Sequence, residues 1–212
     1  MIFLEDKLDN RQRAILAALD SPAAIQAYLD TTLYSPENDN RCPVSVLRDN
    51  QAHCLDGALF AAAALRRLGF PPLLVDMLPE PGTDDDHVLA IFRQNGLIGA
   101  VAKSNFAGLR FREPLYRSLR ELVMSYFEWF FNLHGQKTLR SYTRPLDLSK
   151  YDHSQWMWRD SGADFIEKRL VQLKHIALFP QEMSARLNLV DPLTKQAGML
   201  GVNEAGLYKP KK

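Results

Sequence analysis

The sequence predicts an α+β fold, and two segments carry that prediction. Residues 51–68 form the clearest helix: Cys54, Ala58, Ala61 and Leu65 recur at i, i+4, i+7 and i+11, and Gly69 with Pro71-Pro72 stops the run. Further along, His87 to Arg93 and Leu97 to Ala102 flank Asn95-Gly96, the strongest two-residue signal for an antiparallel hairpin. Between them Leu73 to Met77 reads as a short buried strand, and Pro79 to Asp86 as a polar loop.

The remaining elements follow in order. Arg13 to Leu19 is a short amphipathic stretch, and Ser21-Pro22 is an N-cap with proline at the first helical position, opening a helix over Ala23 to Leu33. Ser35 to Asn40 is a loop by composition. Leu115 to Leu133 carries Leu119, Leu122, Val123, Tyr126, Phe127 and Phe130 at helical spacing, and Trp129 and Phe131 widen that apolar band, which predicts a core helix. Ser141 to Ser154 is irregular, Asp164 to Leu178 is a last amphipathic helix, and Gly198 to Lys212 is a loose polar tail.

Composition bounds the function classes. The chain has 212 residues, 46% hydrophobic and 24% charged, and fits one soluble domain with a sizeable core. Its formal net charge of +1 argues against a nucleic-acid surface. No apolar run approaches the ~20 residues of a membrane span. Met1 to Lys7 lacks the pattern of a signal peptide, and two cysteines make no disulfide framework, so a reduced, cytoplasmic protein is expected.

Cys54 is the residue that points to a chemistry. At a helix start, backbone N–H groups and the helix dipole favour a thiolate, and an imidazole nearby can take the proton. Counting back from Asn95-Gly96 pairs Gln94 with Leu97, Val88 with Lys103 and His87 with Ser104, the last with Cβ atoms roughly 4.5–5.5 Å apart. His87 is thus the candidate base. His53 lies about 100° around the helix from Cys54. The spacings of Cys42, His53, Cys54 and His87 fit no zinc template, and neither metal nor cofactor is expected.

Cys-x-x-Gly-Ala at a helix start (Cys54, Gly57, Ala58), Ala-Leu-x-x-Leu-Gly-Phe-Pro (Ala64 to Pro71), a strand, and Asp86-His87-Val88 together resemble the transglutaminase-like core, a branch of the papain-like thiol fold. The resemblance covers roughly residues 40–106. It implies one domain: a helical N-terminal extension over 1–40, a core of one central helix on a small antiparallel sheet over 41–112, and a mostly helical part over 113–212. It also implies that Cys54 is the nucleophile and His87 its base. The orienting aspartate of such proteins would fall at about Ala102, so Ser104 or Asn105 is left to hold the imidazole. Gln51, in the helix's first turn, is similar in position to the amides that help hold an oxyanion.

Lys103, Arg110 and Arg112 cluster near the end of the second hairpin strand, suited either to a substrate carboxylate or to a structural ion network. Asp84-Asp85-Asp86 reads as a solvated loop, with recognition of a basic substrate as the sharper alternative. The expectation is a thiol enzyme acting on an amide or acyl bond of an unidentified peptide or small molecule, by hydrolysis or transfer. The rival is a catalytically silent member of the same fold that binds a peptide or partner in its cleft.

Overall fold

A computed structural model of the protein describes residues 4–37 and 39–208. The elements follow in chain order: α1 (Asn10–Ala18), α2 (Pro22–Thr31), β1 (Leu33–Tyr34), α3 (Pro43–Asp49), β2 (Gln51–Ala52) and α4 (Cys54–Arg67). Then come β3 (Leu73–Pro79), β4 (His87–Gln94), β5 (Leu97–Val101), β6 (Arg112–Tyr116), α5 (Leu119–Met124), β7 (Leu139–Thr143) and β8 (Leu146–Asp147). The chain closes with α6 (Asp160–Val171), β9 (His175–Ala177) and α7 (Pro192–Gly198), the elements being joined in places by short 3-10 turns. The fold is mixed α and β around an antiparallel sheet.

Local chemistry sets the boundaries. Asp9 caps α1 in a reciprocal box with Gln12, and the Ser21 hydroxyl caps α2 by accepting the Ala24 N–H. His53 caps α4: its ring accepts the Leu55 N–H while Asp56 accepts the His53 N–H. The hairpin turns at Asn95 and Gly96, with φ of +51° and +82°, as a type I′ turn requires, and Gln94 pairs with Leu97 as the dipeptide predicts.

The main sheet runs β6-β5-β4-β3-β7-β9, with β8 alongside β3, and every pairing is antiparallel. Both faces are covered at its centre, so β3, β4 and β5 are largely apolar rather than alternating, while the outer strands β6 and β9 are partly exposed. Leu74, Val88, Ala90, Phe92 and Val101 point into the layer of α4 with α1, α2, α3 and α6. Val75, Met77, Leu89, Ile91, Ala100 and Ala102 point the other way, into a second layer with Leu109, Leu122, Val123, Tyr126 and Phe130. Helix α4 is buried from Leu55 to Leu65, ringed by the sheet and its neighbouring helices.

Several expected elements differ. The single helix over Leu115 to Leu133 is instead β6, α5 and a 3-10 turn over Phe127–Trp129, because Ser118 caps a new helix and the aromatic residues pack as a layer under the sheet. Within the stretch expected to be irregular, β7 pairs with β3. The last expected helix ends at Val171, and His175–Ala177 adds a strand beside β7. The polar tail is fastened in part by a 3-10 turn over Glu204–Gly206, while 209–212 lie outside the described residues. Among the described residues no helix is long and apolar enough to cross a membrane.

Candidate functional site

Cys54 opens α4, and its sulfur lies against the start of β4. The thiol faces the Asp86 carbonyl at 3.9 Å, and the Val88 N–H points toward it. Cys54 retains some exposure, but dense packing, followed by the Asp86 carboxylate, pushes its thiol well above the usual range. The Val88 N–H opposes this, and Asp76 and Asp56 add to it. The environment holds a neutral thiol rather than a thiolate.

His87 is placed elsewhere. Successive residues of a strand point to opposite faces, so Asp86 and Val88 share the α4 side while His87 shares the far side with Leu89 and Ile91. Its Nε2–H donates to the Leu109 carbonyl at 2.7 Å, in that second layer. Burial lowers the imidazole to about 4 despite that bond, with a smaller push from Arg112, so the ring is neutral. Cys54 and His87, expected as a pair, are served by different layers of the molecule.

The expected orienting residues have other partners. Ala102, on the far face, is clamped through its backbone by Gln26, whose amide both donates to and accepts from it. Ser104 accepts the Phe106 N–H at 3.0 Å. Asn105 donates to the Asn203 and Gly206 carbonyls and accepts the Asn203 N–H, fastening the tail. The group that orients His87 is a main-chain carbonyl, which no sequence motif marks. Gln51 lies in β2, paired in parallel with Leu33, and not in the first turn of α4, because His53 caps the helix two residues later.

The three basic residues have partners within the protein, although Arg110 Nε has none. Lys103 is buried, and its ammonium donates to the Leu29 carbonyl at 2.8 Å and to the Thr32 carbonyl, closing the end of α2. Burial lowers it to about 8. Arg110 stands 3.4 Å from Asp30. Arg112 lies 3.9 Å over the Tyr126 ring and donates to Ser125 and to the Gly108 carbonyl. The guanidinium lines a cavity of about 390 Å³ with Gly108, Trp129 and Ala197, away from Cys54.

Two residues outside the expected set come to the thiol instead. Asp76, opposite Val88, is 2% exposed, and its Oδ1 has no hydrogen-bond partner. Asp86, two residues before Val88 on the same side, is exposed to solvent. Burial first and then the Asp86 charge raise Asp76 well above the carboxylate range, while the crowding of its carboxyl and then Asp85 raise Asp86, part of which still reaches solvent. Tyr34 borders this group, its phenol pushed up by burial and by Cys54, Asp85, Asp56 and Asp86 in turn. Strand parity is the signal that could have found Asp86, but β4 is apolar on both faces and the pattern alone does not say which side meets α4. Among the described residues no three His, Cys, Asp or Glu side chains converge to hold a metal ion.

Neither the family models nor the curated proteins searched contain a match to this chain.

Proposed function

We propose that this protein is a ligand-binding member of the transglutaminase-like fold, in which the cleft at the start of α4 receives a peptide or partner and Cys54 is not a nucleophile. The order of α4, β3, β4 and β5, with the helix laid on an antiparallel sheet, supports the fold. One observation carries the function: the only base expected for Cys54 turns away into the opposite layer, its Nε2–H committed to the Leu109 carbonyl. The neutral thiol, crowded by carboxylates, agrees with it.

Iodoacetamide labelling of Cys54 across pH tests this. The expected result is slow alkylation below pH 8, rising only above the free-thiol value of ~8.5 and unchanged in His87→Ala. Fast alkylation at pH 6 that disappears in His87→Ala would establish a Cys54–His87 ion pair and restore the thiol-enzyme reading.

A further inference from the structure

The buried Asp76 carboxyl is the feature that the fold leaves unexplained. A buried polar atom nearly always has a partner, because leaving one unsatisfied forfeits its hydration with nothing in return. Asp76 Oδ1 has none, and the charge acting on that carboxyl is another carboxylate, Asp86. The charges acting on Asp86 are in turn Asp85 and Glu167, both of the same sign. Among the described residues no lysine or arginine enters either environment. Acids held together with one buried oxygen left unpartnered are suited to a cation.

Spacing bears on the kind of cation. Asp76 pairs with Val88 across β3 and β4, and Asp86 lies two residues before Val88, just ahead of the last paired residue, His87; a regular strand continued to that point would set the two acids about 7–8 Å apart at the backbone. Asp86 is exposed at the rim and Asp76 is buried beneath it. The acids here do not converge as metal ligands do. An ammonium or guanidinium head carries its donors outward and reaches two separated carboxylates at ordinary hydrogen-bond length. Tyr34 adds an aromatic ring at the border of the same group, suited to the alkyl stem or to the charge itself.

We infer that Asp76 and Asp86 form a subsite for an organic cation, the alkylammonium or guanidinium head of a basic side chain or a small amine, with Asp76 Oδ1 as the acceptor at its floor. This rests on the binding reading above and names the ligand class for that cleft. No covalent step is involved.

Thermal unfolding of the full chain in n-butylguanidinium or n-butylammonium chloride tests it, with n-butanol in matched sodium chloride as the neutral control. The expected result is a Tm rise of about 3–6 °C at ten times Kd, absent with butanol. Asp76→Asn and Asp86→Asn should each weaken binding at least tenfold. An acetylated arginine or lysine peptide amide that binds at least tenfold more tightly than the butyl probe assigns the cation to a peptide; equal binding assigns it to a free amine. No Tm shift at tens of millimolar, or the same shift in both asparagine variants, overturns the subsite. If Asp76→Asn does not fold, Asp86→Asn and amide chemical-shift mapping of the unaltered protein decide the same question. The outcomes are separable: a reactive Cys54 thiolate would refute the non-catalytic reading while leaving these shifts, and absent shifts would refute the subsite while leaving Cys54 inert.

Discussion

Asp86 and His87 are neighbours in the chain that serve opposite layers of the molecule. Asp86 stands on the α4 side with Val88, beside the Cys54 thiol, while His87 reaches the Leu109 carbonyl on the far side. One residue along the chain therefore separates the carboxylate beside the thiol from the imidazole expected to serve it.

His87→Ala should leave Cys54 chemistry untouched and lower stability by about 2–3 kcal/mol, through the cavity and the orphaned Leu109 carbonyl. Its folded pKa of about 4 lies below the ordinary 6.5. The unfolded chain therefore binds the proton first as pH falls, and stability is lost between about 6.5 and 4. Urea titrations across that window should show a shallower acid loss in His87→Ala, with the remainder owed partly to His53, which burial also lowers to about 4.

Gly57→Ala inverts the usual rule for helix interiors. Alanine ordinarily gains about 1 kcal/mol over glycine there. A Cβ at Gly57 would fall 2.2 Å from the Lys103 Cβ, so α4 and the segment that follows β5 would have to separate. Overpacking of this kind costs about 1–3 kcal/mol. The expected net result is a loss of about 1–2 kcal/mol, read from the denaturant midpoint at unchanged m; a stabilised variant would mean that the helix sits farther from β5.

Lys103 makes an alkaline prediction. Burial lowers its folded pKa to about 8 from 10.5, so between those values the unfolded chain holds a proton that the folded chain has released. Stability should therefore rise with pH from about 8 to 10.5, by up to about 3 kcal/mol relative to Lys103→Met. A parallel pair of pH profiles would show that the ammonium is well solvated.

Asn105→Ala should detach the tail turn with little loss of global stability. Asn105 holds Asn203 and Gly206 by three hydrogen bonds, and Asn203 also donates to the Tyr34 carbonyl. Limited proteolysis should then cut near Asn203 much faster than in the unaltered chain, while the main unfolding transition moves by about 1 kcal/mol or less. Equal cutting rates would show that the turn is held by other contacts.

The sequence made local chemistry legible and long-range geometry only in part. Ser21-Pro22 marked the start of α2, Gly69 and the prolines after it marked the end of α4, and Asn95-Gly96 set the hairpin register, because each acts within a few residues of itself. The aromatic run from Tyr126 to Phe131 misled, since a residue under a sheet and a residue in a core helix need the same apolar side chain. β7 was hidden because its pairing with β3 is decided by residues far away in the chain. At the site, Cys54 at the head of α4 was readable. The face of β4 it meets was not, because both faces are covered and parity leaves no polar trace. The bond from His87 goes to a backbone carbonyl, which every residue possesses.

The tail turn carries one more consequence. The bond from Asn203 to the Tyr34 carbonyl spans 169 residues, almost the whole chain drawn into one loop. Closing so long a loop is entropically costly for the few polar contacts that repay it. Such a clasp forms after the sheet is built and opens before the sheet melts. Tyr34 is held by that clasp on one side and by its pairing with Ala52 on the other, so opening the clasp releases the tail turn while β1 keeps its place beside β2.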